Sequence, residues 1–257
     1  MKVARFAHGE SISFGIVDAE EHELVVLKSD PLFAGFDTTG ERVPLSEARL
    51  LAPVIPRSKV VAVGKNYREH AEEMGGEAPA EPLLFLKPNT SVIGPGDAII
   101  LPPESAQVEH EGELAVVIGR VARRVSEADA ASVIFGYTIA NDVTARDLQR
   151  RDGQWTRAKG FDTFCPLGPV IATEVDLQRG VIETSVNGER RQHGRFADMV
   201  HSVPAIVAYA SNVFTLLPGD VILTGTSAGL GPLVDDDRVE VSVSGLGTLA
   251  NPVRVAG

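Results

Sequence analysis

Three carboxylates fall within five residues of VEHEGELAVVIGR, residues 108–120, and the second half of that segment is apolar enough to be a buried strand. Side chains at i and i+2 of a strand share a face. Glu109, Glu111 and Glu113 are therefore expected to point one way, about 6–7 Å apart in steps, with Ala115 and Val117 following on the same face. Like charges so placed push each other's pKa upward. Three resolutions stay open from the strand alone: water at a strand end, ion pairs with Lys or Arg, or a bound cation. The first two are the commoner fates of acidic side chains. A further acid, Asp142 in YTIANDVTARD, comes directly after an apolar strand. Two glutamates and an aspartate form an all-oxygen donor set suited to a hard cation such as Mg²⁺, with Mn²⁺ also fitting. No His or Cys cluster has zinc spacing.

A second chemical pair is His70 and Glu73 in NYREHAEEMGG, at i and i+3 of an expected helix. A carboxylate beside an imidazole fixes its tautomer and raises its basicity, as a general base requires. An ordinary solvated helix face has the same spacing, and the residues alone do not separate the two readings. LTGTSAGLGP is a strand running into a glycine-rich loop whose amides can hold an anion. It matches neither a Walker A nor a dinucleotide fingerprint. Cys165, in DTFCPLGP, reads as a buried structural thiol.

The elements that must position these groups are mostly strands. Residues 1–56 read as a small β unit and connector, and residues 57–257 as the main domain, beginning at KVVAVG. PLLFLKP, DAIILP, ELAVVIG, FGYTIANDVT, LGPVIAT, VIETSVNG, DVILTG and RVEVSVSGLGTLANPV are strand-like. Helices are expected over NYREHAEEMGG, over SEADAASVIF with Ser126 as N-cap, and over VPAIVAYASNVFTL. The class is thus mixed α/β and β-rich. GPGDAIILP (94–102) echoes LPGDVILTG (217–225), which reads as one turn-into-strand solution used twice.

At 257 residues and 44% hydrophobic content, the chain can bury a sizeable core. A formal net charge of −11 argues against nucleic acid as a partner. A single cysteine excludes an internal disulfide and suits a reducing cytoplasm, the expected location. No apolar run reaches membrane-spanning length, so no membrane partner is expected.

Six ordered motifs, VGKNYREHAEEMG, FLKPNTSVIGPGD, HEGELAVVIGR, NDVTARDLQ, WTRAKGFDTFCPLGP and LTGTSAGLGP, make residues 59–257 resemble the fumarylacetoacetate hydrolase superfamily. The likeness is to its small bacterial branch of acylpyruvate hydrolases, oxaloacetate decarboxylases and hydroxyheptadienedioate isomerases. The resemblance implies a mixed β-roll or sandwich with few helices, and a homodimer. It implies Mg²⁺ or Mn²⁺ on Glu111, Glu113 and Asp142, with Glu109 outside the ligand set or solvated. It implies a His70–Glu73 base, Lys159 facing developing negative charge, Arg146 and Gln149 near substrate, and Thr226 on a substrate carboxylate. For Arg146, an ion pair to Asp147 or Glu113 is the competing expectation. Many relatives carry Pro-Lys or Pro-Ser after that threonine, where this chain has Ser227-Ala228. The implied activity is C–C hydrolysis of acylpyruvates or decarboxylation of oxaloacetate through an enolate. The alternatives are a 2-hydroxyhepta-2,4-diene-1,7-dioate isomerase or 5-oxopent-3-ene-1,2,5-tricarboxylate decarboxylase of aromatic catabolism, and a metal-stabilised binding protein without activity.

Overall fold

The centre of the structure is a strand buried on both faces. Gly112–Ile118 alternates Leu114, Val116 and Ile118 on one side with Ala115 and Val117 on the other, and all are buried. A computed structural model describes residues 1–257. Around this strand lies a twelve-stranded sheet, ten of whose strands run in the order Thr38–Pro44, Glu23–Leu27, Ser11–Asp18, Lys2–His8, Cys165–Ala172, Ile134–Asn141, Gly112–Ile118, Val221–Thr226, Val60–Gly64, Leu83–Lys87, while Arg49–Leu51 pairs with Lys2–His8 and Val92–Ile93 with Cys165–Ala172. Most neighbours are antiparallel; Val221–Thr226 runs parallel to Val60–Gly64. A five-stranded sheet is ordered Glu189–Arg195, Val181–Val186, Arg238–Val243, Gly247–Val255, Ile99–Leu101.

The larger core lies on the Leu114 face, where Ile206 and Val207 of the helix Val203–Val213 and Val241 and Val243 of the second sheet pack together. The Ala115 face is built from smaller side chains, Ala62, Ala140, Val117 and Leu223. Glu113 shares this face, so the acid segment opens onto the more thinly filled side of the sheet. The strand Lys2–His8 pairs with Cys165–Ala172 through Lys2↔Ala172 and Val3↔Ile171, so the N-terminal strands extend the main sheet.

Helices are few, as the strand-dominated sequence implied. Val203–Val213 is capped by Ser202, whose hydroxyl accepts from the Ala205 N–H. Arg68–Glu73 ends just before Gly75, which takes the positive φ (73°) that a helix exit demands. The expected helix after Ser126 is a 3₁₀ segment, Glu127–Val133; Ser126 does cap it, accepting from Asp129 N–H. Two short helices, Arg146–Asp152 and Thr156–Gly160, were not anticipated, because neither is long enough to show helical periodicity. The two Pro-Gly-Asp turns are built alike: Asp97 accepts from Gly94 N–H at 2.9 Å and Asp220 from Leu217 N–H at 2.8 Å. Their strands lie in different sheets, consistent with a turn solution used twice.

At Gly112 the two sheets approach closely, since a Cβ there would collide with Thr184 Oγ1 and press on Val241. Gly112→Ala is expected to destabilise the protein by about 1–3 kcal/mol through overpacking, read as a fall in Tm; an unchanged Tm would show that the sheets can part there at no cost.

Candidate active site

The acid segment is not one continuous strand. Val108–Glu109 pairs with Thr144–Ala145 in its own two-stranded ribbon, while Gly112–Ile118 joins the main sheet. His110 and Glu111 cross the gap. The expectation that Glu109, Glu111 and Glu113 share one strand face is therefore corrected by this break. The crossing is pinned to the second acid segment: Glu111 N–H donates to Asn141 Oδ1 at 2.9 Å, and Asp142 N–H donates to the Glu111 carbonyl at 2.8 Å. Glu111, Glu113 and Asp142 are thereby drawn together, each offering a carboxylate oxygen within 4.8 Å of the others, and all are buried.

Three cations meet this cluster. Lys159 Nζ, from the helix Thr156–Gly160, lies 2.8 Å from Glu111 Oε2 and 2.7 Å from Asp142 Oδ2. Arg146, at the start of the helix Arg146–Asp152, donates from Nη2 to Glu111 Oε1 at 2.6 Å and from Nε to Glu109 Oε2 at 2.8 Å. Lys87, fully buried at the end of the edge strand, pairs with Asp142 Oδ1. Glu109 is thus neither solvated nor within the three-acid cluster; it holds Arg146, and the expected Arg146 partners Asp147 and Glu113 are not used. Asp147 instead accepts from Ser105 Oγ and Ala106 N–H.

The electrostatic result differs sharply between neighbours. Burial works against ionisation of Glu111, but Lys159 and Arg146 outweigh it and hold that carboxyl well below its ordinary range. Glu113 receives one hydrogen bond, from Gly225 N–H at 2.6 Å. Burial, then the charges of Asp142 and Glu111, push its carboxyl well above the usual range. A buried all-oxygen trio under mutual repulsion suits a hard divalent cation, which removes that repulsion.

His70 is 5% exposed, and its Nδ1 lies 3.4 Å from Glu73 Oε2. Burial lowers its pKa below 6.5 despite the opposing pull of Glu111 and Glu73. Glu73 is held in turn by Gly229 N–H at 3.2 Å, which ties the helix to the glycine-rich loop.

His70, Glu111, Glu113, Asp142, Arg146, Gln149, Lys159 and Thr226 line one cavity of about 180 Å³. Gln149 accepts from Arg146 Nη1 at 2.6 Å, which leaves its NH₂ without a protein hydrogen-bond partner, and the residue lines the cavity. Thr226 donates to the Gly112 carbonyl at 2.9 Å and accepts from Gln192 Nε2 at 2.8 Å. Trp155 and Phe85 form an edge-on pair in the wall, 5.2 Å between centroids, and Lys159 Nζ lies 5.2 Å from the Phe85 centroid. Cys165 is fully buried, and burial pushes its thiol up to about 12, in keeping with a structural role.

Sequence reasoning missed Lys87, the Glu109 clamp and Gln192. FLKPNTS carried Lys87 inside a quoted motif, but an apolar strand ending in lysine normally signals a solvated strand end. Gln192 lies on Glu189–Arg195, a strand too rich in charge to read as one.

A mixed β-sheet fold gathers three acids, Arg146, Lys159 and the carboxylate-paired His70 at one cavity, a donor set able to hold a cation. The chain belongs to the fumarylacetoacetate (FAA) hydrolase family: the profile of the FAA hydrolase C-terminal domain matches residues 59–254, and an Rv2993c-like N-terminal profile matches residues 1–53. It is 44% identical to a Bacillus subtilis protein named oxaloacetate tautomerase YisK, over 82% of this chain and 71% of that one. A solved 2-hydroxyhepta-2,4-diene-1,7-dioate isomerase from Mycobacterium marinum superposes with a TM-score of 0.91 at 48% identity, covering 100% of this chain and 99% of that one. A maleylpyruvate hydrolase from Sphingobium, solved with manganese(II) and pyruvate, superposes at 0.81 with 31% identity, covering both chains fully.

Adding Mg²⁺ or Mn²⁺ is expected to raise Tm, by the equivalent of about 2.7 kcal/mol at a hundredfold excess over Kd. Glu111→Gln and Asp142→Asn should each abolish the rise; a Tm indifferent to both cations would argue against the site.

Proposed function

We propose that this protein is a divalent-cation-dependent enzyme that moves a proton on small 2-oxo diacids, interconverting keto and enol forms of an oxaloacetate-like substrate. The observation that carries the reading is a buried histidine, held neutral and paired with a carboxylate, lining the same cavity as a cluster of three acids. Glu111, Glu113 and Asp142 would hold Mg²⁺ or Mn²⁺. When bound, such a cation supplies a Lewis acid for the carboxylate and 2-oxo oxygens of the substrate.

The chain's own residues supply the rest. Glu73 accepts the Nδ1 proton of His70, so Nε2 carries the lone pair. His70 Nε2 takes a proton from the carbon next to the 2-oxo group and returns it to oxygen or carbon. The Lys159 ammonium lies against the carboxylate cluster and faces negative charge as it builds on the enolate. Arg146 has Nε, Nη1 and Nη2 committed to Glu109, Gln149 and Glu111. It acts by orienting Gln149, whose NH₂ is available to a substrate oxygen, and by lending its charge.

The likeness to YisK and to the isomerase supports proton transfer as the leading reaction. The second reading is C–C cleavage, by hydrolysis of an acylpyruvate or decarboxylation of oxaloacetate. The similarity to maleylpyruvate hydrolase favours it, and His70 would then activate water. The enolate is common to both, so the same residues serve either outcome.

The test follows the ultraviolet absorbance of enol oxaloacetate with enzyme and Mg²⁺, against an EDTA-treated control, while lactate dehydrogenase reports pyruvate. Enol loss without pyruvate supports tautomerisation. Pyruvate from oxaloacetate or acetylpyruvate supports the second reading, and metal-independent rates for all substrates reject both. His70→Asn is expected to lower kcat by about 10²-fold or more while Mn²⁺ affinity is kept. The acidic limb of kcat/KM should fall below pH 6.5, because burial disfavours protonated His70. Glu73 raises the His70 pKa, so Glu73→Gln should move that limb to still lower pH; a limb that stays put would remove Glu73 from the dyad.

A further inference from the structure

Gln192 is 2% exposed, lies on the edge strand of the five-stranded sheet, and makes four hydrogen bonds into the site. Its Oε1 accepts from Gly112 N–H at 3.1 Å and meets His110 Nδ1 at 3.0 Å. Its Nε2 donates to Thr226 Oγ1 and to the Ser227 carbonyl, both at 2.8 Å. The amide orientation is locked by this set. A flip would aim its NH₂ at the Gly112 N–H, which can only donate, and its oxygen at the Ser227 carbonyl, which can only accept. The strand also presses on the loop it serves, since a Cβ on Gly194 would lie 2.7 Å from Ser227 Cβ.

The consequence falls on Thr226. A hydroxyl has one proton and two lone pairs. Gln192 fills one lone pair, so the proton must point away from Gln192. It now goes to the Gly112 carbonyl at 2.9 Å. We propose that Gln192 is a positioning residue for substrate recognition: it forces Thr226 to act as a hydrogen-bond donor, whose proton passes from the Gly112 carbonyl to an anionic oxygen of the substrate. The proposal rests on the reading that Thr226 meets a 2-oxo acid.

Oxalate serves as the probe, because it reproduces the paired oxygens of a 2-oxo acid head. Its Kd is measured by calorimetry on the full chain at saturating Mn²⁺, and the Mn²⁺ affinity is measured separately. Gln192→Glu keeps the shape and the acceptor for Gly112 N–H, but it turns a carboxylate oxygen toward Thr226, which then donates to it instead. Q192E and T226V are each expected to weaken oxalate by roughly tenfold, the cost of one hydrogen bond to a charged group. The double variant should be no weaker than either single one, and Mn²⁺ affinity should stay within about twofold of wild type. If Q192E does not fold, Q192M, which removes the donor without adding charge, carries the same test with a loss of several-fold. Wild-type affinity in Q192E, multiplying losses in the double variant, or a parallel fall in Mn²⁺ affinity would each overturn the proposal while leaving the Thr226 reading intact. T226V binding oxalate as wild type does would overturn both.

Discussion

The structure depends on balancing charge among side chains that are almost wholly withdrawn from solvent. Four carboxylates, Glu109, Glu111, Glu113 and Asp142, are buried among apolar strands, and three cations, Lys87, Arg146 and Lys159, are buried with them. An unpaired charge in such a place costs several kcal/mol, so each cation must be delivered accurately. They arrive from different directions: Lys87 from an edge strand, Arg146 and Lys159 from two short helices. The strain of the crowding falls on Glu113, which has a single amide donor for support and whose charged form is disfavoured by burial and by its acidic neighbours. Two acids two positions apart in one segment are thus driven to opposite ends of the carboxyl range, one by cations and the other by crowding. That separation lets the same small volume offer both a fixed anion and a site hungry for positive charge.

What could be read from the chain was what lies close along it. Glu111 and Glu113 are two residues apart, His70 and Glu73 three, and Asp142 follows an apolar strand directly, so short spacing carried their chemistry. The strand-rich class was equally plain, because β-branched runs between Gly and Pro recur along the chain. The contacts that arrange the site are long-range and left no local trace. Arg146 and Glu109 are thirty-seven positions apart, Lys87 and Asp142 fifty-five, and Gln192 and Gly112 eighty. Such pairs exist only once strand order is set. Glu189–Arg195 escaped notice because an edge strand is allowed to be charged, which erases the alternation that marks a strand. The break at His110 and Glu111 escaped notice for a related reason: nothing in VEHEGEL announces a gap, which arises because Val108–Glu109 finds a different partner from Gly112–Ile118.

One loop joins Thr226, proposed to bind substrate, and the His70–Glu73 pair, proposed to move protons. Residues 226–229 meet Gln192 from the second sheet at Thr226 and Ser227, and meet Glu73 of the base at Gly229. The loop is placed by close contact, since a Cβ on Gly229 would run into the Arg191 carbonyl. In the proposed reaction, anchoring of the substrate and orientation of the base therefore share a single backbone segment. Changes in the second sheet can reach the histidine without touching it.

The cavity wall has an optical consequence. Trp155 is the single tryptophan of the chain, and it stands in that wall, edge-on to Phe85 and close against Gly64. Indole emission from the whole protein therefore originates beside the acid cluster. The molecule carries its own fluorophore in the wall of the proposed site, so binding of an ion or ligand there would register in its native spectrum with no label attached.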